Sequence, residues 1–269
     1  RKIMKSPITK LAAAAVLIAA AIIAIHYIRS DVSPGQRPGS PNPIATPHQP
    51  AGPELAPIEI KLPKPMFEDT PQDHRVPNLE KPLGRPRPPF LAPVGTKNVA
   101  LGKPVSSSDE EPIIGELEMI TDGDKETADG SYVELGPFAQ HVMIDLEALH
   151  NIYAVVVWHY HKQPQAYFDV VVQVADDPDF ITNVRTIFNN DIDNSAGLGV
   201  GKDKHYGETY EGKLINAKGI KARYIRLYSN GNTSNDLNHY IEVEVYGKPA
   251  APPEKLVPLD TKLPKPAFM

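Results

Sequence analysis

Cysteine is absent from all 269 residues, so no disulfide framework or thiol chemistry supports or defines this chain, and its stable part must hold through its core alone. A cluster of lysine and arginine is missing from the region rich in Val, Ile, Tyr and Phe, and the net charge is −5. Phosphate backbones are bound through positive patches, so nucleic acid is excluded as a partner. Signatures of catalysis are also lacking: there is no cysteine nucleophile, no Gly-x-Ser-x-Gly elbow and no His-Glu-x-x-His. The acidic pairs Glu110-Glu111 and Asp176-Asp177 sit in turns, where solvation is their default, and the chain reads as a non-enzyme. Gly197-Leu-Gly-Val-Gly-Lys202 is no phosphate loop, because Ala196 and Asp203 stand where a glycine and a hydroxyl residue belong.

Proline is abundant, at 29 residues, but scarce between Asn98 and Gly247. That stretch of about 150 residues can bury roughly two-thirds of its unfolded surface, enough for one core. Residues 29–97 and 248–269 read as Pro-rich linkers, the first an extended, semi-rigid stalk. A ligand for a proline-reading partner is the alternative. Lys61-Leu-Pro-Lys-Pro-Met-Phe67 recurs as Lys262-Leu-Pro-Lys-Pro-Ala-Phe268. The repeat implies either docking of the linker on the folded part or a module continuing past Met269.

Leu11 to Ile28 is apolar, preceded by Arg1, Lys2, Lys5 and Lys10. A transmembrane helix or signal anchor over 11–28 fits this length, with 1–10 as a cytoplasmic basic flank. The expected location is the cytoplasmic membrane, single-pass, with the C-terminal domain outside the cytoplasm, periplasmic or at the cell surface. A cleaved signal peptide is the rival, opposed by the bulky Ile25, His26, Tyr27 and Ile28. A buried soluble helix is the third reading. The start at Arg1 suggests residues upstream.

Strands are expected at His141–Leu146, Ile152–Tyr160, Tyr167–Val174, Val184–Phe188, Ala222–Ser229 and Tyr240–Tyr246, from their β-branched and aromatic content. Ile225 and Leu227 face one way, with Tyr224, Arg226 and Tyr228 opposite. With Gly-rich turns between them and no amphipathic helix, the class is all-β, a sandwich or barrel.

Asn98-Val-Ala-Leu-Gly-Lys-Pro-Val105, Ile120-Thr-Asp-Gly-Asp124, Val142-Met-Ile-Asp-Leu146, Val172–Phe180, Ala222-Arg-Tyr-Ile-Arg-Leu227 and Ile241-Glu-Val-Glu-Val-Tyr-Gly247 stand in one order. Together they resemble a coagulation factor 5/8 type C (discoidin) domain over residues 98–247. That family includes bacterial family 32 carbohydrate-binding modules of the galactose-binding-like fold. The resemblance implies an eight-stranded jelly-roll β-sandwich with a ligand-binding loop end. It departs at Tyr132, where a tryptophan is usual nearby, and in the long segment Asn189–Lys213.

By position in that family, Asp122, Asp124, Thr127 and Glu242 would hold a structural Ca²⁺; the bland reading is a solvated Asp-Gly turn. Sugar contacts are expected from His159, Tyr160 and His161 after a strand in which Trp158 is core. Asn230, Asn232, Asn235 and His239 in the Asn-rich loop, and His205 and Tyr206 in the long one, are further candidates. His159 and His161 could instead chelate a metal, and the asparagines could simply form turns. The expected partner is a carbohydrate or glycoconjugate, besides the membrane. A protein partner, a structural cell-surface role, or membership in a larger enzyme or signalling protein are the alternatives.

Overall fold

In a computed structural model of the chain, residues 52–65 and 76–251 are described. The apolar run 11–28, much of the stretch 29–97 and the second copy of the repeat lie outside them. Among the described residues no helix is long and apolar enough to cross a membrane.

Eleven strands follow in order: β1 (Leu55–Pro57), β2 (Leu91–Pro93), β3 (Lys97–Asn98), β4 (Val105–Ser107), β5 (Val133–Leu135), β6 (Gln140–Trp158), β7 (Val171–Ala175), β8 (Arg185–Asn189), β9 (Lys213–Ser229), β10 (Asn238–Tyr240) and β11 (Glu242–Pro249). A 3-10 turn at Leu117–Thr121 is the helical piece of the described chain. The main antiparallel sheet runs β3-β11-β6-β9-β7-β8, with β4 also pairing with β6. Two ribbons, β1-β2 and β5-β10, stand apart from it. The class is all-β, as expected, and the arrangement is a sandwich.

One long antiparallel pair, β6 with β9, makes both layers. Their register jumps between Asp145 and His150 and again between Ile152 and Ala154. Glu147 (φ 62) and Lys218 (φ 56) take the left-handed conformation that such bulges require. The pair bends there, and the apolar faces of its two halves meet. Val142, Ile144, Ile225, Leu227 and Val172 from one half pack in one core with Val155, Val157, Ile215, Val243 and Val245 from the other. The alternation expected at Ala222–Ser229 is thus observed, with Ile225 and Leu227 inward. Arg223 donates to both carboxylate oxygens of Asp145, at 2.7 and 2.8 Å, and so clamps the bend.

Strand β9 begins nine residues before the expected segment. Lys213, Lys218, Gly219 and Lys221 hide its first half, because they break the β-branched pattern. Tyr167 and Phe168 fall outside β7; Asp169, at φ 50, breaks the extended run.

The second half of β6 is buried on both faces. Ala154, Val156 and Trp158 point away from the main core and pack with Ile241 and Tyr246. Ile58, Ile60 and Phe90 cover them. These three residues come from the stretch read as a stalk. There the β1-β2 ribbon forms, Arg87 donates to the carbonyls of Glu211 and Gly212, and Tyr246 donates to the carbonyl of Glu59. Residues 52–65 and 76–97 therefore lie on the sandwich rather than extending from it. Pro63 of the first repeat copy is buried, and the Lys64 amide donates to Glu126, which is the docking alternative for that copy.

Candidate functional site

Three connections build one end of the sandwich: 159–170 between β6 and β7, 190–212 between β8 and β9, and 230–237 between β9 and β10. The first and third are stitched together. The Phe168 amide donates to the Gly231 carbonyl (3.1 Å), and the Asn230 amide donates to the Phe168 carbonyl (2.9 Å). That pairing sets Asp169 under Asn230, whose Nδ2 donates to Asp169 Oδ2 (2.8 Å). The second connection adds Ser195, whose Oγ donates to the same oxygen at 2.5 Å.

The result is a cleft of about 340 Å³ lined by Phe168, Asp169, Asp193, Ser195, His205 and Asn230, with Pro77 and Ile192 at its sides. Phe168 is half-buried, and His205 meets its ring edge-on at 5.8 Å. Asp191 lies just behind, accepting from the amides of Ser195 and Ala196. Burial, then the Asp169 charge, pushes the Asp191 carboxyl up. Hydrogen bonds from Ser195 hold Asp193 down. Burial pulls the His205 imidazole below its ordinary value, while nearby acids oppose the shift.

Of the expected sugar-contacting residues, His205 and Asn230 meet in this cleft. Tyr160 and His239 meet elsewhere, with Tyr132, which was noted only as a departure from the family pattern. The Tyr132 and Tyr160 rings are 5.0 Å apart, and His239 lies 5.7 Å from Tyr132. His239 sits between Glu134 (Nε2 to Oε2, 2.9 Å) and the Tyr167 hydroxyl (Nδ1, 2.7 Å). That pattern suits a neutral ring donating to Glu134 and accepting from Tyr167, in line with burial lowering its pKa.

The remaining five turn inward or upon themselves. His159 is fully buried, stacked on Tyr167 at 4.4 Å and bonded to Glu208 at 2.6 Å, because its strand is covered on both faces. His161 is buried, and its Nε2 lies 3.1 Å from the Lys125 carbonyl. Tyr206 is buried beneath Lys213, whose ammonium lies 4.6 Å from its ring centre. Asn232 donates to Asn235 and to the Leu237 carbonyl and accepts from the amides of Ser234 and Asn235. Those bonds fill the Asn232 amide, and Asn235 Oδ1 accepts from Asn232 and from the Leu237 amide.

The residues expected to hold calcium divide. Glu242 is fully buried; its Oε2 accepts from the Gly123 amide at 3.0 Å and its Oε1 has no partner. Burial pushes its carboxyl up to about 9. Thr127 Oγ1 is also buried and unpartnered. Asp122 and Asp124 each spend one oxygen on a backbone amide two residues on and are exposed. Two orphaned buried oxygens beside an acidic loop suit a hard cation. A feature that the sequence did not disclose is Lys125, which is buried, 2.9 Å from Glu244 Oε1 and 3.2 Å from the Gly123 carbonyl.

Phe168, Asp169, Asp193 and Ser195 went unread as site residues. Phe168 and Asp169 fall within the expected strand Tyr167–Val174, and Asp193 and Ser195 within the Gly-rich segment Asn189–Lys213. The alternation Asp191, Asp193, Ser195 was the available signal.

No family model matches the chain, and neither does any curated protein. Solved structures do. One is a family 89 glycoside hydrolase from Clostridium perfringens in complex with 2-acetamido-1,2-dideoxynojirmycin, with 17% identity and a TM-score of 0.42. The match covers 56% of this chain but only 15% of the hydrolase, so this chain spans a small part of that protein's length. Another is the family 32 carbohydrate-binding module of AlyQ in complex with 4,5-unsaturated mannuronic acid, with 18% identity, 53% and 92% of the two chains covered, and a TM-score of 0.38. A third is a Streptococcus pneumoniae fucose binding module, with 17% identity, 56% and 97% covered, and a TM-score of 0.40.

Proposed function

We propose that residues 98–247 form a discoidin-like, eight-stranded jelly-roll module that binds carbohydrate without catalysis. On this reading, the apolar segment 11–28 anchors it to the cytoplasmic membrane with the module outside. The observation that carries the reading is the cleft, where a half-buried aromatic ring stands beside a fixed carboxylate, amide and hydroxyl. The face of Phe168 offers a platform for a sugar's C–H face, and Asp169, Ser195 and Asn230 offer acceptors and donors for hydroxyls. Glycoside hydrolysis needs two carboxylates flanking the scissile bond. Here Asp169, Asp191 and Asp193 gather around Ser195, and no further acid lines the cleft among the described residues.

The expected result on a glycan array, followed by calorimetry, is that Phe168→Ala and Asn230→Ala each weaken retention by at least about tenfold, the loss of one stacking or hydrogen-bonding partner. Asn235→Ala should leave it unchanged. Retention untouched by both cleft substitutions would remove the cleft from consideration.

Calcium belongs to the same reading. Glu242, Thr127, Asp122 and Asp124 would hold it, and it would supply positive charge that ionises and fixes the Glu242 carboxylate against its loop. Adding Ca²⁺ at about 100 times its Kd to chelator-treated protein should stabilise the fold by about 2.7 kcal/mol, roughly 5–10 °C in Tm. Glu242→Gln should remove the part of that gain that this site supplies. A Tm indifferent to both Ca²⁺ and chelator would rule the ion out.

A further inference from the structure

The cleft holds more negative charge than its lining balances. One carboxylate oxygen from each of Asp169, Asp191 and Asp193 lies within 4.8 Å of the others. Among the described residues no lysine or arginine forms an ion pair with any of them. Like charges at that separation repel strongly in a partly buried site.

Two of the three sites come from one short loop, whose residues Asp191, Asp193 and Ser195 alternate. That is the i, i+2, i+4 spacing with which cation-binding loops present oxygens in one direction. Every neighbour is arranged around the loop. Ser195 donates its amide to Asp191 and Asp193 and its hydroxyl to Asp169. Within the described hydrogen bonds, Asp169 Oδ1 and Asp193 Oδ2 receive nothing.

A second observation is independent of the acids. His205 is only 3% exposed, lines the same cleft, and its Nδ1 has no hydrogen-bond partner. A buried ring nitrogen without a partner is costly unless a ligand or water meets it. The donor set is carboxylate-rich with one imidazole at its border, and it favours Mn²⁺ or Ca²⁺ over the softer metals that thiolates select.

We infer that Asp169, Asp191 and Asp193 hold a divalent cation of the oxygen-preferring class in the cleft that His205 also lines. This site is separate from the one expected around Glu242. It does not depend on what else the cleft binds. If the carbohydrate reading holds as well, the ion presents open positions to vicinal hydroxyls or to the carboxylate of an acidic sugar.

The test uses the full chain carrying Glu242→Gln, which silences the other candidate site. It is stripped with chelator and titrated with Mn²⁺ alone, while electron paramagnetic resonance reads the free ion. One Mn²⁺ should bind per chain, and Ca²⁺ should compete for it. Asp193→Asn is the informative change, since that carboxylate is exposed and its loss leaves the fold intact; it should weaken Mn²⁺ binding at least tenfold. Asp191→Asn serves less well, because the Asp191 carboxylate caps two backbone amides. Absence of a bound ion in the Glu242→Gln chain would overturn the inference, as would equal Mn²⁺ affinity with Asp193→Asn. Because no glycan is present, neither result bears on carbohydrate binding, and a blank glycan array would leave the cation site standing.

Discussion

Replacing Lys125 by alanine should cost the fold about 3–5 kcal/mol, the usual penalty for stripping one partner from a buried ion pair. The measurement is the urea midpoint in the presence of chelator. Lys125 is buried, with side-chain exposure of 8%, the same as that of its partner Glu244. Its ammonium reaches Glu244 Oε1 at 2.9 Å and the Gly123 carbonyl at 3.2 Å, and lies 5.4 Å from the Trp158 ring centre. Glu244 would keep the Tyr246 hydroxyl at 2.8 Å but lose its counter-charge, with Glu242 close by. Lys125→Met separates charge from packing, since it fills the same space. It should remain strongly destabilising, and adding Glu244→Gln should restore part of the loss. A midpoint unmoved by Lys125→Met would show that the pair contributes nothing.

Acid should weaken the domain earlier than carboxylate protonation explains. Burial, followed by the Arg226 charge, holds the His141 imidazole at about 4, against an ordinary value near 6.5. Burial also lowers His161, His205 and His239. In the unfolded chain all four take up protons near pH 6.5, whereas the folded chain resists. Stability contributed this way is complete above pH 6.5 and is lost as pH falls towards 4. Two acids run the other way. Burial raises Glu242 and Asp191, so their contribution grows as pH falls through the same range. The four imidazoles outnumber the two acids, so the net effect is a loss of stability as the pH falls, and solvent screening of the half-exposed His141 reduces its share. His161→Gln should flatten the slope and Glu242→Gln should steepen it. Unfolding free energy that stays level from pH 7 to 5 would contradict this account.

How legible each part was depended on whether its residues answer to their own neighbours or to distant chain. Val155, Val172, Ile225 and Val243 announced themselves by β-branching and alternation, and all four sit in the main core. For His159 the period-two rule separates it correctly from Trp158, yet both residues are fully buried. Which face meets water is decided by Ile58, Ile60 and Phe90, about 70 to 100 residues upstream in the chain. Those residues sat among prolines, and composition spoke for a linker, although Ile58, Glu59, Ile60 and Lys61 alternate as a half-buried strip should. In the Asn-rich loop, composition suggested donors for a ligand, whereas Asn232 and Asn235 satisfy the turn that holds them. His205 and Asn230 were identified from chemistry alone, and only the fold brings them beside Phe168 and Asp169.

The covering strip also governs when the molecule can finish folding. The Tyr246 hydroxyl closes onto the Glu59 carbonyl across 187 residues. A ribosome adding about 5–20 residues per second therefore exposes Ile58 and Ile60 for roughly 10–40 s before β11 exists to receive them. During that interval their cover is incomplete, because Ile241 and Tyr246 are still missing from the cluster they pack against. Of the described strands, the last to be synthesised brings home the stretch that follows the first.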